Sequence, residues 1–239
     1  MSLGFVEIEE IKEEKQTTKN YRKDFCEGVT FIAKSQRLRS LFLYAGISWG
    51  IYCLIGTYRT SLLVDIGTPE QVITMIAAVI SVAAAIGSKQ QLRFHNYFRN
   101  KSLATILFMV TFFIILAGLA GIIQISYGVN LAIIVTCFVI IGLSKGIGEV
   151  LVTRYLGNFA SDKILTQIYA VNAISRNVFR AIISFLGSYL LRITNTSNSL
   201  IMVGILLLIT VLGLVSYMKT RLGLNPKEYE EREIKQGDL

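Results

Sequence analysis

From Ser102 to Ser144 the chain carries no Asp, Glu, Lys or Arg. A soluble fold cannot hide an uncharged run of that length, because about a quarter of a soluble domain's residues are charged. Here 17% are charged and 53% hydrophobic in 239 residues. The charges collect at the two ends and in short islands between apolar segments. A bilayer accommodates this pattern, since each crossing needs about 20 apolar residues at about 1.5 Å rise per residue.

The pattern predicts an all-α integral membrane protein with six transmembrane helices. The spans are expected at about residues 40–58, 71–88, 103–124, 130–153, 165–191 and 199–218, with the fifth the most polar. Residues 1–39 read as a cytoplasmic segment, 40–219 as the six-helix domain and 220–239 as a cytoplasmic tail. The run EIEEIKEEKQTTKNYRKD reads as a solvated tail or weak helix. Beyond it, Phe25, Val29, Ile32 and Ala33 recur at the spacing of one helical stripe, followed by Lys34, Arg37 and Arg39. A short amphipathic helix lying on the cytoplasmic membrane surface is expected there. The first 39 residues are too polar for a cleavable signal, so the first crossing serves as its own insertion signal.

Orientation follows from the loops. Nineteen Lys and Arg flank the spans on one side and only Arg59 and Arg192 on the other. The positive-inside rule puts both termini in the cytoplasm of a multi-pass protein, which is expected at the cell membrane. The net charge of +8 is thereby explained without nucleic acid, and no nucleic-acid partner is expected. Residues 40–124 and 130–218 each form three spans, and the second trio enters from the opposite side. That is the plan of a 3+3 inverted repeat, although the trios share no extended identity.

Cys26, Cys53 and Cys137 are scattered, which suits neither a disulfide framework nor a metal site. His95 is the lone histidine, in a basic loop, and no GxxxxGK[ST] loop is present. No catalytic residues, cofactor or metal are expected, and the chain does not read as an enzyme.

The informative residues are charges inside spans. Lys145 and Glu149 stand one turn apart on the fourth span, roughly 13 and 7 Å from its cytoplasmic end. Arg176 and Arg180 stand one turn apart on the fifth, roughly 20 and 27 Å in. Charge at the bilayer centre costs at least about 2.5–3.5 kcal/mol, so these groups should face protein or water. They are candidates for lining a hydrated path or for gating pairs, against the plainer reading that Lys145 and Glu149 pair with each other or snorkel. Glu149 is the one acid within a span and the candidate proton carrier. Tyr44, Trp49, Tyr52 and Tyr58 mark the first span; such aromatics grip a solute or form packing and interfacial belts. Gln167, Asn172 and Asn177 add polar character to the fifth, for solute or for inter-helix hydrogen bonds.

Several segments resemble the carboxy-terminal half of a major facilitator superfamily (MFS) transporter, over nearly the whole chain from Phe25 onward. CEGVTFIAKSQRLRSLFLY resembles the family's central cytoplasmic segment leading into its seventh helix. VDIGTPEQVITMIAAV resembles the outer turn into the eighth. GSKQQLRFHNYFRNKSL resembles the second, degenerate copy of the Gly/Arg-rich loop. It keeps Gly87, Arg93 and Arg99 without the acidic residue and later glycine. YMKTRLGLNPKEYEE is similar to tails common in the superfamily.

The resemblance implies an MFS-like six-helix half that works with a second six-helix half, either within a longer protein or as a partner chain. The implied activity is secondary active transport of a small solute by alternating access, the coupling ion being left open, with Glu149 the candidate carrier where that ion is a proton. Its first and fourth spans would line the cavity, making Trp49, Tyr52 and Lys145 candidate solute contacts. Its second and fifth would meet the other half, making Arg176 and Arg180 candidate contacts there, and its third and sixth would face lipid. Two other readings remain open: a six-helix substrate-binding subunit of a multi-component uptake system, and a membrane anchoring protein with no transport role.

Overall fold

The computed structural model describes residues 18–123, 125–159 and 162–219. The outermost tails, Pro226 included, lie outside the described residues. Seven α-helices and one 3₁₀ turn follow one another: α1 (Thr18–Lys34), α2 (Gln36–Asp65), α3 (Glu70–Phe98), the turn Arg99–Lys101, α4 (Ser102–Ile122), α5 (Tyr127–Phe159), α6 (Asp162–Ile193) and α7 (Thr196–Lys219). No strand occurs among the described residues.

Five of the helices, α2, α3, α4, α5 and α7, are long and apolar enough to cross a membrane. All six expected spans are helices, but α6 is not apolar enough to stand with the other five. The cause is its own sequence, which carries Gln167, Asn172, Arg176, Asn177, Arg180 and Arg192.

The helices also outrun the apolar windows. α3 continues through QQLRFHNYF to Phe98, so most of the expected basic loop is helix. Nothing in that stretch breaks a helix, there being no Gly or Pro from Ser88 to Phe98. The chain turns instead at Arg99, whose φ is +45°, and Ser102 closes the turn by donating to the Arg99 carbonyl at 2.7 Å. At the other end of α3, Pro69 occupies the N-cap, where its missing N–H costs nothing. Gly67 supplies the positive φ of the preceding turn, at +79°.

α2 pairs along its length with α6, α3 with α5, and α4 with α7; α5 also packs on α4, and α2 lies between α5 and α7. Glycines set two of these seams. On α5, a Cβ at Gly146 would stand 1.9 Å from the Ala84 carbonyl oxygen, and one at Gly87 of α3 would stand 2.2 Å from the Leu143 oxygen. The α3 and α5 backbones are therefore in direct contact, and Ser88 Oγ reaches the Gly146 carbonyl at 3.3 Å. Small residues that bring backbones together are what helix association in lipid relies on. On α2, Gly46 and Gly50 take up Phe179 and Ile183 of α6. Tyr58, fully buried on α2, donates to the Gly187 carbonyl of α6 at 2.9 Å. Tyr58→Phe should lower stability by about 1 kcal/mol, the net worth of one hydrogen bond, as read by thermal unfolding in detergent.

α1 packs on α6 through Gly28, against Gln167 and Val171, and through Ile32, which is buried. The rest of the expected stripe stays open: Phe25, Val29 and Ala33 are exposed. The packed face is centred on the glycine, which gives no signal to a hydrophobic-period reading.

Contacts near the helix ends define two ends of the bundle. His95 of α3 meets Tyr155 of α5 and Ser102 of α4, and Arg37 of α2 lies over Phe159 of α5. This end also carries Lys89, Arg93, Arg99 and Lys101 and is called the basic end below. At the opposite end Leu62 of α2 and Ser197 of α7 meet at Gly121 of α4.

Candidate functional site

Midway along the bundle, three helices bring their charged and aromatic side chains together. Arg176 of α6 lays its guanidinium over the Trp49 ring of α2, 3.9 Å from the ring centroid. Lys145 of α5 approaches the same ring at 5.3 Å. Glu149, one turn beyond Lys145 on α5, stands 3.8 Å from Arg176 and 4.0 Å from Lys145. One carboxylate thus serves two cations, and the Trp49 π-face takes up part of the remaining positive charge. The group keeps a formal net charge of +1 midway along the bundle, at side-chain exposures of 24% for Arg176 and 38% for Glu149. That partial exposure shows where the charges are solvated, since a lone charge in lipid would be costly.

A pocket of about 280 Å³, mouth included, lies against this group. It is lined by Tyr44, Ser48, Trp49, Tyr52, Glu149 and Arg176, with Ala45, Gly148 and Val152 filling its walls. The Tyr44 and Tyr52 hydroxyls converge on Gly148, at 3.8 and 3.7 Å from where its Cβ would be. Both are buried without a hydrogen-bond partner within the protein, as is Glu149 Oε1. Two unpaired hydroxyls beside a carboxylate oxygen held only by ion pairs, all around one small space, mark a site built for something polar, because buried polar groups are otherwise satisfied.

A second, larger groove of about 780 Å³, mouth included, runs between α2, α6 and α7. Its single polar side chain, Thr210, is already bonded to the Leu206 carbonyl at 2.9 Å. It gives a solute no polar handle.

Five of the six residues singled out from the sequence, Trp49, Tyr52, Lys145, Glu149 and Arg176, meet in this one place. Arg180 does not: it is exposed one turn further along α6. Of the polar residues on α6, Asn172 is buried, Asn177 is exposed and Gln167 lies against Gly28 of α1. Sequence reasoning missed Ser48, and it missed that Tyr44 turns inward beside Tyr52.

One signal was available. GISWGI at 46–51 and GLSKGI at 142–147 share Gly, Ser, Gly and Ile in register, with Phe42 matching Phe138 before them and Thr57 matching Thr153 beyond. The shared glycines are those that seat α2 on α6 and α5 on α3. Two of the positions that differ face the site. Trp49 matches Lys145, and the two meet. Tyr52 matches Gly148, and the large side chain fills the space left by the absent one.

No protein-family model, curated protein or solved structure matches the chain at a meaningful level.

Proposed function

We infer that this chain is the carboxy-terminal six-helix half of an MFS-type secondary transporter, and that the Trp49–Lys145–Glu149–Arg176 group lines its solute path. The observation that carries this reading is the polar pocket itself, held at mid-depth by charges from α5 and α6 around a tryptophan of α2. Intramembrane ionisable residues that face a cavity mark solute and ion pathways.

The helix pairings support a 3+3 arrangement. Exchanging α2, α3 and α4 for α5, α6 and α7 turns the α2·α6 pairing into α3·α5 and the α2·α7 pairing into α4·α5. It leaves α4·α7 and α2·α5 unchanged. The matched segments on α2 and α5 agree with this exchange. In a two-fold arrangement matched residues meet only near the axis, where Trp49 faces Lys145 and Tyr52 faces Gly148. In this reading α6 is the sixth span, carried across beside α2, and the basic end faces the cytoplasm of the cell membrane.

α3 and α6 would meet the second half. The most apolar window of α3 is 22% buried against 72% for α2, and its exposed face runs through Met75, Val79, Val82 and Ile86. The exposed face of α6 adds Asn177 and Arg180 to its apolar residues, a mixture better suited to protein than to lipid.

The test is reconstitution into vesicles carrying an internal pH dye, with and without a second six-helix half supplied by coexpression. Amino acids, sugars, carboxylates and amines are added in turn under an imposed proton gradient. Solute-dependent proton movement that requires both halves is the expected result. Tight solute binding by the chain alone, with no flux in either preparation, would replace this reading with that of a substrate-binding subunit.

A further inference from the structure

The charges and hydrogen-bond donors around Trp49 do not balance, and the direction of the imbalance identifies what would complete the site. Arg176 and Lys145 share the single carboxylate of Glu149, at 3.8 and 4.0 Å. Both are ion-pair contacts, longer than a hydrogen bond. Among the described residues neither cation donates a hydrogen bond to any protein group. The N–H donors of the guanidinium and the ammonium are therefore open. Tyr44 and Tyr52 add two buried hydroxyls with no acceptor in the protein, both beside Gly148. Acceptors are scarcer. They are the Ser48 oxygen, whose own proton goes to the Ala45 carbonyl at 3.2 Å, and the Glu149 carboxylate, which both cations already hold.

We propose that the solute of this path is a small monoanion, a carboxylate, whose oxygens take the Arg176 guanidinium and the Tyr44 and Tyr52 hydroxyls. The proposal rests on the reading of this pocket as the solute path. A monoanion brings one negative charge to a group of formal net charge +1, and it brings acceptors to a site rich in donors. An amine would add positive charge and donors where both are in excess. A sugar would bring hydroxyl protons that only Ser48 and Glu149 could accept, and unpaired polar groups weaken binding. A dianion would overshoot the balance by one charge.

The placement of the groups agrees with this chemistry. Arg176 lines the pocket together with both hydroxyls, and its planar fork matches the two oxygens of a carboxylate. Lys145 stands outside the wall, against Trp49 and Glu149, and adds its charge from behind them. The absent side chain of Gly148 leaves the space beside both hydroxyls free. The pocket measures about 280 Å³ with its mouth, at the small end of ligand sites, so the carboxylate carries a short tail. Lipid headgroups lie at the ends of a transmembrane bundle, away from a pocket at its middle.

Trp49 is the single tryptophan of the chain and lies 3.9 Å from Arg176, so its fluorescence reports occupation of the site. The full chain in nanodiscs of zwitterionic lipid is titrated with propionate, ionic strength being held constant with a bulky sulfonate. Propionamide and ethylammonium, close to it in size, are the neutral and cationic controls. Propionate should give a saturable change in the millimolar range, the second half's wall being absent. Its affinity should exceed that of either control at least about tenfold, the worth of one hydrogen bond to a charged group. Tyr44→Phe and Tyr52→Phe keep the rings and should each weaken propionate by about the same factor. Arg176→Gln should remove the advantage of propionate over propionamide. Glu149→Gln raises the formal charge of the group by one and should tighten propionate severalfold, the opposite of what lost packing would do.

Equal affinities for propionate and propionamide, a preference for ethylammonium, or no saturable change in the wild type would overturn the anion assignment. So would propionate binding that both tyrosine variants leave unchanged, or that Glu149→Gln fails to tighten. Transport is read separately, as flux with both halves present. Flux of a neutral or cationic solute would overturn the anion and keep the transporter. Propionate binding here, without flux of any solute by the two halves together, would keep the anion site and remove the transporter.

Discussion

Gly146→Ala is expected to cost this protein more stability than a methyl group added at any other described glycine. The new Cβ would lie 1.9 Å from the Ala84 oxygen, 2.8 Å from its carbonyl carbon and 2.9 Å from the Ser88 nitrogen. All three are α3 backbone, so no rotamer change relieves the clash and α3 must move off α5 by an ångström or more. That movement opens the longest seam in the bundle and breaks the Ser88 hydroxyl's bond to the Gly146 carbonyl. Overpacking typically costs about 1–3 kcal/mol, and this seam should lie at the upper end. The order of effects is itself a test. Gly87→Ala meets the Leu143 oxygen at 2.2 Å and should come next, and Gly142→Ala meets the Ile80 oxygen at 2.9 Å and should be milder. A Cβ at Gly46 meets only the Phe179 ring, which can turn. At Gly213 of α7 nothing lies within 4 Å, and alanine should be neutral or stabilise by up to about 1 kcal/mol. Thermal exposure of Cys137, buried on α5, gives the readout in a Cys26→Ser, Cys53→Ser background. Equal losses at Gly146 and Gly213 would show that the backbone contact is not what holds α3 to α5.

The spans were legible because hydropathy is summed over a whole crossing and tolerates local error. Their ends were not, since residues 89–98 are polar but contain nothing that stops a helix. α6 was legible as the most polar crossing, and that polarity also keeps it from standing with the five apolar helices. The charged group could be anticipated one helix at a time: Lys145 and Glu149 share a face of α5, and Arg176 is too deep for its own helix to satisfy. That all three would gather at Trp49 depends on how α2, α5 and α6 pack, which no single-helix pattern contains. The seams were half visible. Gly46 and Gly50, like Gly142 and Gly146, stand four residues apart, a spacing known to bring helices close. Which helix each pair would meet is a tertiary fact.

Glu149→Gln should abolish proton-driven uptake in the assembled transporter and also weaken the fold, and the two losses can be separated. The substitution keeps the shape of the side chain but leaves Lys145 and Arg176 with no counter-charge around Trp49. Placing a charge at the bilayer centre costs about 2.5–3.5 kcal/mol or more, and the partial exposure of both cations should hold the observed loss below that. Arg176→Gln should destabilise for the complementary reason, leaving Glu149 to the more distant Lys145 and baring the Trp49 face. The double variant restores the original balance of charge at lower absolute charge, so its stability should exceed that of either single variant. A coupling of about 0.5–3 kcal/mol is expected for side chains in such contact, measured by thermal unfolding of the four proteins in one detergent. Uptake should not return with stability, because the recovered fold has no carboxylate to carry a proton. Strictly additive stabilities would mean that Trp49 alone holds Arg176 and that Glu149 answers to Lys145 only. Uptake that survives in the double variant would remove Glu149 from the transport cycle and leave the four side chains a packing role.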